Sequence, residues 1–144
     1  MKKCLNASLI YAIAALAGGV FYREFTKFNN YMGATSLGKV HTHLFMLGMV
    51  VFLIAAMFAR GSSLEKEKTF KPFMIVYNIG VPIAAIMMAV RGVTQVLGTE
   101  LSKGADAAIS GIAGIGHILT GAGIILFLTA LLKCSDRIKA ANKD

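Results

Sequence analysis

The chain carries three histidines, His41, His43 and His117, and each falls inside a long apolar run. Arg91 and Gln95 share a further such run. Ionisable groups are expensive in hydrocarbon, so each of these is a functional suspect by default. A neutral imidazole offers a ring nitrogen to iron, zinc or copper. An arginine offers a two-pronged fork to a carboxylate. His41 and His43 lie on one run, Arg91 on another and His117 on a third, so the fold must bring them together.

The glycines around these residues add shape. Near His117 the sequence reads SGIAGIGHILTGAG. Positions three or four apart share a helix face, so Ser110, Gly114, His117 and Gly121 predict one stripe, a flat trough around an imidazole. His41, Phe45, Gly48 and Phe52 predict a comparable stripe, with His43 directed toward Leu47 and Val50. A trough beside a histidine on each of two helices suits a large, flat, apolar ligand held by axial imidazoles. Haem b is such a ligand, and its non-covalent binding needs no CxxCH motif. Arg91 is the expected partner for a haem propionate, with Arg23 and Lys39 as alternatives. The same small-residue spacing also serves plain helix–helix contacts. The same histidines also suit zinc or copper.

What must position these residues is visible in the composition. Of 144 residues, 56% are hydrophobic and only 15% charged, against roughly 25% charged in a soluble domain. Mean hydropathy is +0.68. A soluble core of this size leaves too much surface exposed to hide so much apolar sequence. Four apolar segments, about 5–22, 38–59, 73–97 and 107–132, each approach the ~20 residues that cross a bilayer as a helix. None alternates with period two, so a barrel is not expected. The short connections predict an all-α membrane protein, an antiparallel up-down-up-down four-helix transmembrane bundle forming a single domain over residues 1–144. Met1-Lys2-Lys3 ahead of an apolar stretch has the form of a signal peptide, and is read here as the start of a retained first span.

The basic residues set the orientation. Lys2, Lys3, Arg60, Lys66, Lys68, Lys71, Lys133, Arg137, Lys139 and Lys143 fall on one side; Arg23, Lys27, Lys39 and Lys103 fall on the other. The side richer in Lys and Arg is cytoplasmic, so both termini are expected there, in a bacterial cytoplasmic membrane. The formal net charge of +8 then reads as topology and anionic-lipid contact, not nucleic-acid binding. At 1.5 Å per residue, His117 sits roughly 7 Å outward of its segment's middle, His43 and Arg91 about 10 Å, and His41 about 13 Å. Depth favours His43 as partner to His117; the Gly48 face favours His41.

Other features weigh less. Cys4 and Cys134 make no disulfide scaffold and are expected to be free thiols at the reducing face. The eight methionines, Met46, Met49, Met87 and Met88 among them, read as apolar filler before copper ligands. Gly80 and Pro82 predict a kink in the third helix. Tyr11, Tyr22, Tyr31 and Tyr77 are interfacial candidates, with Tyr77 and Asn78 alternatively inside. Glu24, Glu65, Glu67 and Asp106 are expected to be solvated. No catalytic triad, HExxH, P-loop or dinucleotide fingerprint is present.

The stretches NASLIYAIAALAGGVFYREFTKFN, HTHLFMLGMVVFLIA, YNIGVPIAAIMMAVRGVTQVLGT and SGIAGIGHILTGAGIILF resemble a family of small bacterial four-span membrane proteins of unknown function. That resemblance covers nearly the whole chain and implies the fold. VHTHLFMLGMVVF also resembles the second transmembrane helix of the haem-copper oxidase catalytic subunit, the cbb3 type above all. It implies that His41 ligates a low-spin haem on the outer side, with His117 as the second axial ligand. The chain departs from the oxidases in having four predicted helices, not twelve, and no further histidines for copper and a second haem, so a bare bis-histidine haem is what the resemblance leaves. The expected function is a cytochrome b-like protein for electron transfer, quinol-linked or toward a redox protein, or for gas sensing. Zinc or copper binding or transport is the alternative, and a homodimer covering an exposed edge is an expected assembly.

Overall fold

Lipid offers no hydrogen-bond partner to the backbone, so apolar runs of this length must close their amides within a helix. The computed structural model describes residues 1–141, with side chains described to Arg137. It has four long helices: α1 (Lys2–Phe28), α2 (Ser36–Ala59), α3 (Phe70–Val96) and α4 (Lys103–Ala141). All four are long and apolar enough to cross a membrane. Most reach past the apolar run into polar sequence, which is why the predicted ends fall short, except at Ala59, where prediction and α2 coincide, and at Leu97, one residue beyond α3. Gly61 and Gly98 stop α2 and α3 with φ of +94° and +63°, a left-handed conformation that favours glycine just past a helix end.

The helices pack in chain order, α1 on α2, α2 on α3, and α3 most extensively on α4. The α3–α4 seam is built on glycine. A Cβ on Gly80 would lie 2.5 Å from the Thr120 backbone nitrogen, one on Gly116 2.7 Å from the Ala84 nitrogen, and one on Gly123 2.7 Å from the Tyr77 ring. Small residues let two backbones approach this closely in a bilayer. Between the helices an aromatic core stacks Tyr11 on Phe52 at 5.6 Å and Phe73 on Phe127 at 4.8 Å, with Tyr77 fully buried beside them. Tyr77 is therefore a core residue. α3 runs as one unbroken helix through Gly80 and Pro82.

α2 is not uniform. It opens as a 3-10 turn (Ser36–Lys39), becomes α-helical at Val40–His43, widens to a π-helix at Leu44–Val50 and resumes as α-helix at Val51–Ala59. The wide turn puts Leu44, Gly48 and Phe52 on one buried face, four residues apart. Ser8 of α1 donates its hydroxyl to the Met49 carbonyl at 2.9 Å, satisfying backbone that the wide turn offers to a neighbour.

The ends of the bundle correct one expectation of solvation, that of Glu67, and give the exposed Glu65 and Asp106 ion-pair partners. Glu67 is buried, with Arg137 Nη1 3.1 Å from its Oε1, an ion pair without hydrogen-bond alignment. Glu65 pairs with the amino group of Met1. Asp106, though exposed, pairs with Arg91. Lys143 and the side chain of Lys139, counted above for orientation, lie outside the described residues.

Candidate functional site

The chain direction brings the first turns of α2 and α4 and the last turns of α3 to the same end of the bundle. His43 and His117 meet there. Their ring centroids are 6.4 Å apart and their planes 83° apart. Each ring is fixed by its own helix. His43 Nδ1 lies 3.0 Å from the Lys39 carbonyl and His117 Nδ1 2.8 Å from the Ala113 carbonyl, both one turn back. A carbonyl can only accept, so each Nδ1 carries the proton and each Nε2 keeps a lone pair. That tautomer, with Nδ1–H held by a backbone carbonyl, is the one a metal-ligating histidine uses. Metal–imidazole nitrogen bonds are ~2 Å long, so two imidazoles on opposite sides of one metal hold their centroids roughly 6 Å apart.

The trough on α4 is open. A Cβ placed on Gly114 or Gly121 would meet nothing within 4 Å, and the same holds at Gly111. These glycines lie on the opposite side of α4 from Gly116 and Gly123, which are filled by α3. Ser110 Oγ, one turn before Gly114, accepts from Arg91 Nη2 at 2.8 Å, and Arg91 Nη2 also donates to Asp106 Oδ1 at 2.9 Å. Arg91 thus ends at the N-terminal end of the stripe that contains His117. Met46 lines a small hollow with Thr42, His43 and Leu47.

His41 is not brought to His117. It turns to α1, stacking on Tyr22 with centroids 6.4 Å and planes 14° apart, over Gly19. Its Nδ1 is buried with no hydrogen-bond partner. Gly48 does not flank a ligand either: a Cβ there would lie 2.4 Å from the Tyr11 ring. The stripe expected from His41 to Phe52 assumed an α-helical period, and the π-turn between them breaks it. Gln95 also has a different task. Its Oε1 accepts from the Ser36 amide at 2.8 Å and stands 3.2 Å from Thr35 Oγ1, closing the first turn of α2. That partnership spans some sixty residues of chain and left no local signal.

Among the described residues, no group of three or more His, Cys, Asp or Glu side chains comes together to hold a metal ion. A structural zinc takes four protein ligands and a catalytic zinc three. Haem iron, with four equatorial nitrogens of its own, needs two. The donor set at His43 and His117 fits haem by that count, and His117, Gly114 and Gly121 are exposed on a face of α4 that no other helix fills.

The fold defines a multi-pass, four-helix membrane protein. The family described as a protein of unknown function (DUF2871) matches residues 1–134, and the chain belongs to it. No curated protein matches the chain, and no solved structure matches it.

Proposed function

We propose that the protein is a membrane b-type cytochrome, with haem between α2 and α4 on His43 and His117. The observation that carries this reading is the His43–His117 pair: two rings 6.4 Å apart, each with its Nδ1 tied to a carbonyl one turn back. Bound there, haem supplies a one-electron ferric/ferrous couple. The chain's residues do the rest. His43 and His117 would hold the iron, Gly114 and Gly121 would leave room beside them, and Arg91, now paired with Asp106, would be the nearby cation for a carboxylate of the group. Two protein ligands leave no open position on the iron, which favours electron transfer over gas sensing. The site lies at the end of the bundle away from the termini. The concentration of basic residues at the other end supports a reading with both termini in the cytoplasm of a bacterium and the haem in the outer half of its inner membrane. A second copy of the chain covers the open edge of the groove in this reading; light scattering on the detergent-solubilised protein checks it by reading two chains per particle, and one chain removes it.

The test is a reduced-minus-oxidised absorption spectrum of protein from a haem-replete host. The wild type shows a Soret band. His117→Ala and His43→Ala each lose most of it, while His41→Ala keeps it. A colourless wild type that stays colourless after haem addition ends the proposal.

Copper is the second reading, favoured by Met46 in the hollow beside His43, since a thioether is a soft ligand suited to Cu(I). Elemental analysis separates the two: stoichiometric copper without iron, lost in Met46→Leu, selects it.

A further inference from the structure

On the other side of the bundle, α1 and α3 part to leave a groove of about 690 Å³. It is walled by Ala7, Ile10 and Ala14 of α1 and Ala85, Ile86 and Ala89 of α3, with Val40 and Leu44 of α2 as its floor. Its lining is apolar with a polar pair part-way along. Tyr11 donates its hydroxyl to Asn78 Oδ1 at 3.1 Å, and Asn78 donates one amide hydrogen to the Met74 carbonyl at 2.7 Å. One amide hydrogen of Asn78 and an acceptor lone pair of the Tyr11 oxygen remain over. Tyr11 lies nine residues into α1 and Asn78 eight into α3, so at 1.5 Å per residue the pair sits about 12–14 Å from the helix starts, inside the apolar span but about 6–8 Å on the terminus side of its middle. Lys3 and Asn6 stand at the mouth.

A spare donor beside a spare acceptor, at a depth without water, asks for a ligand that carries both functions on an apolar body. A phospholipid does not meet that need, because its polar atoms stay at the interface and only its hydrocarbon reaches down the apolar span to this depth. A quinol does: its ring hydroxyl donates and accepts, its quinone form accepts from the amide, and its prenyl tail needs an apolar channel. The groove volume is within the ~300–1,000 Å³ usual for small-molecule sites. We infer that the α1–α3 groove is a quinol site, with Asn78 donating to and Tyr11 accepting from a ring hydroxyl, and Ala14 and Ala85 facing the ring or tail. This deepens the cytochrome reading, on which it rests for the destination of electrons; the binding itself does not depend on haem.

The experiment is a thermal unfolding titration of the full-length protein in detergent, followed with a thiol-reactive fluorophore. Cys4 and Cys134 are buried free thiols and report unfolding. The probe is decylubiquinol, kept reduced under nitrogen, and dioctanoyl phosphatidylglycerol is run in parallel. A saturable upward shift is expected with the quinol alone. Asn78→Leu weakens its midpoint about tenfold, the size of one lost buried hydrogen bond. Ala14→Leu narrows the groove from an exposed position that costs the core nothing, and abolishes the shift even if Asn78→Leu fails to fold. Equal midpoints in wild type, Asn78→Leu and Ala14→Leu, or a shift given by the phospholipid alone, overturn the inference. Haem content of the same preparation is read separately, so a colourless protein that binds quinol would sink the cytochrome and spare the groove.

Discussion

Two histidines two positions apart on one helix have ended in different environments. His43 has its Nδ1 tied to the backbone and its ring against His117. His41 stacks on Tyr22 and leaves a buried nitrogen unpartnered. An unsatisfied buried polar atom costs roughly 1–3 kcal/mol, and replacing it with an apolar group of similar shape is neutral or stabilising. His41→Phe keeps the stack and removes the orphan nitrogen. It is expected to raise stability by about 1 kcal/mol, read from a denaturant midpoint, with haem content unchanged. A fall in the Soret band in this variant would return His41 to the ligand set. The sequence made the histidines conspicuous, because any imidazole in an apolar run is. It did not separate His41 from His43: depth pointed to one, the Gly48 face to the other. The face argument failed because the same residues fit an α-turn and a π-turn, and Ser8, more than thirty residues away, supplies a partner to the wider turn at Met49.

At the scale of elements, α4 carries two glycine faces with different work. The spacing around His117 made one legible as Ser110, Gly114, His117 and Gly121. The other, Gly116 and Gly123, lay in the same sequence, but its meaning depends on α3, whose Gly80, Ala84 and Tyr77 come within contact only after folding. The two faces predict opposite outcomes for the same substitution. Gly80→Ala and Gly116→Ala force a Cβ against backbone at under 3 Å, and each should cost about 1–3 kcal/mol by overpacking. Gly114→Ala meets open space. It should hold or raise the stability of the haem-free protein, by up to about 1 kcal/mol from helix propensity, yet reduce haem retention by filling the trough. Unfolding midpoints with and without haem decide it; equal losses at all three positions would make the glycines plain packing. Gln95→Leu should fray the first turn of α2 at about 1 kcal/mol, as loss of a helix cap does, visible as faster hydrogen exchange at Ser36 and Leu37.

In the whole molecule the helices pack in chain order, α3 most closely on α4, and two features join helices that are not neighbours in the chain: the His43–His117 pair between α2 and α4, and the groove between α1 and α3 with Tyr11 and Asn78. The four spans and their order were readable from hydropathy and loop length because the bilayer imposes both. These two features were not, since they depend on which helix pairs close up. The imbalance of charge between the two ends is a property of the same scale. Lys2, Lys3, Arg60, Lys66, Lys68, Lys71, Lys133 and Arg137 gather at the end with the termini, while Arg23, Lys27, Lys39 and Lys103 sit at the other. Glu67 and Glu65 tie that basic end together through Arg137 and the Met1 amine. Short-loop Lys and Arg resist translocation, so the proposed orientation, basic end in the cytoplasm and His43–His117 end outward, is a prediction of this charge imbalance. Reporter fusions measure this directly. A fluorescent protein that folds only in the cytoplasm should be bright when joined at the C-terminus, and alkaline phosphatase should be active when inserted at Gly98–Thr99, between α3 and α4. Adding four lysines to the 29–35 connection while changing Arg60, Lys66 and Lys68 to Gln should push a measurable share of chains into the reverse orientation. Phosphatase activity at the C-terminus of the wild type, with none at Gly98–Thr99, would place the histidine pair on the cytoplasmic side.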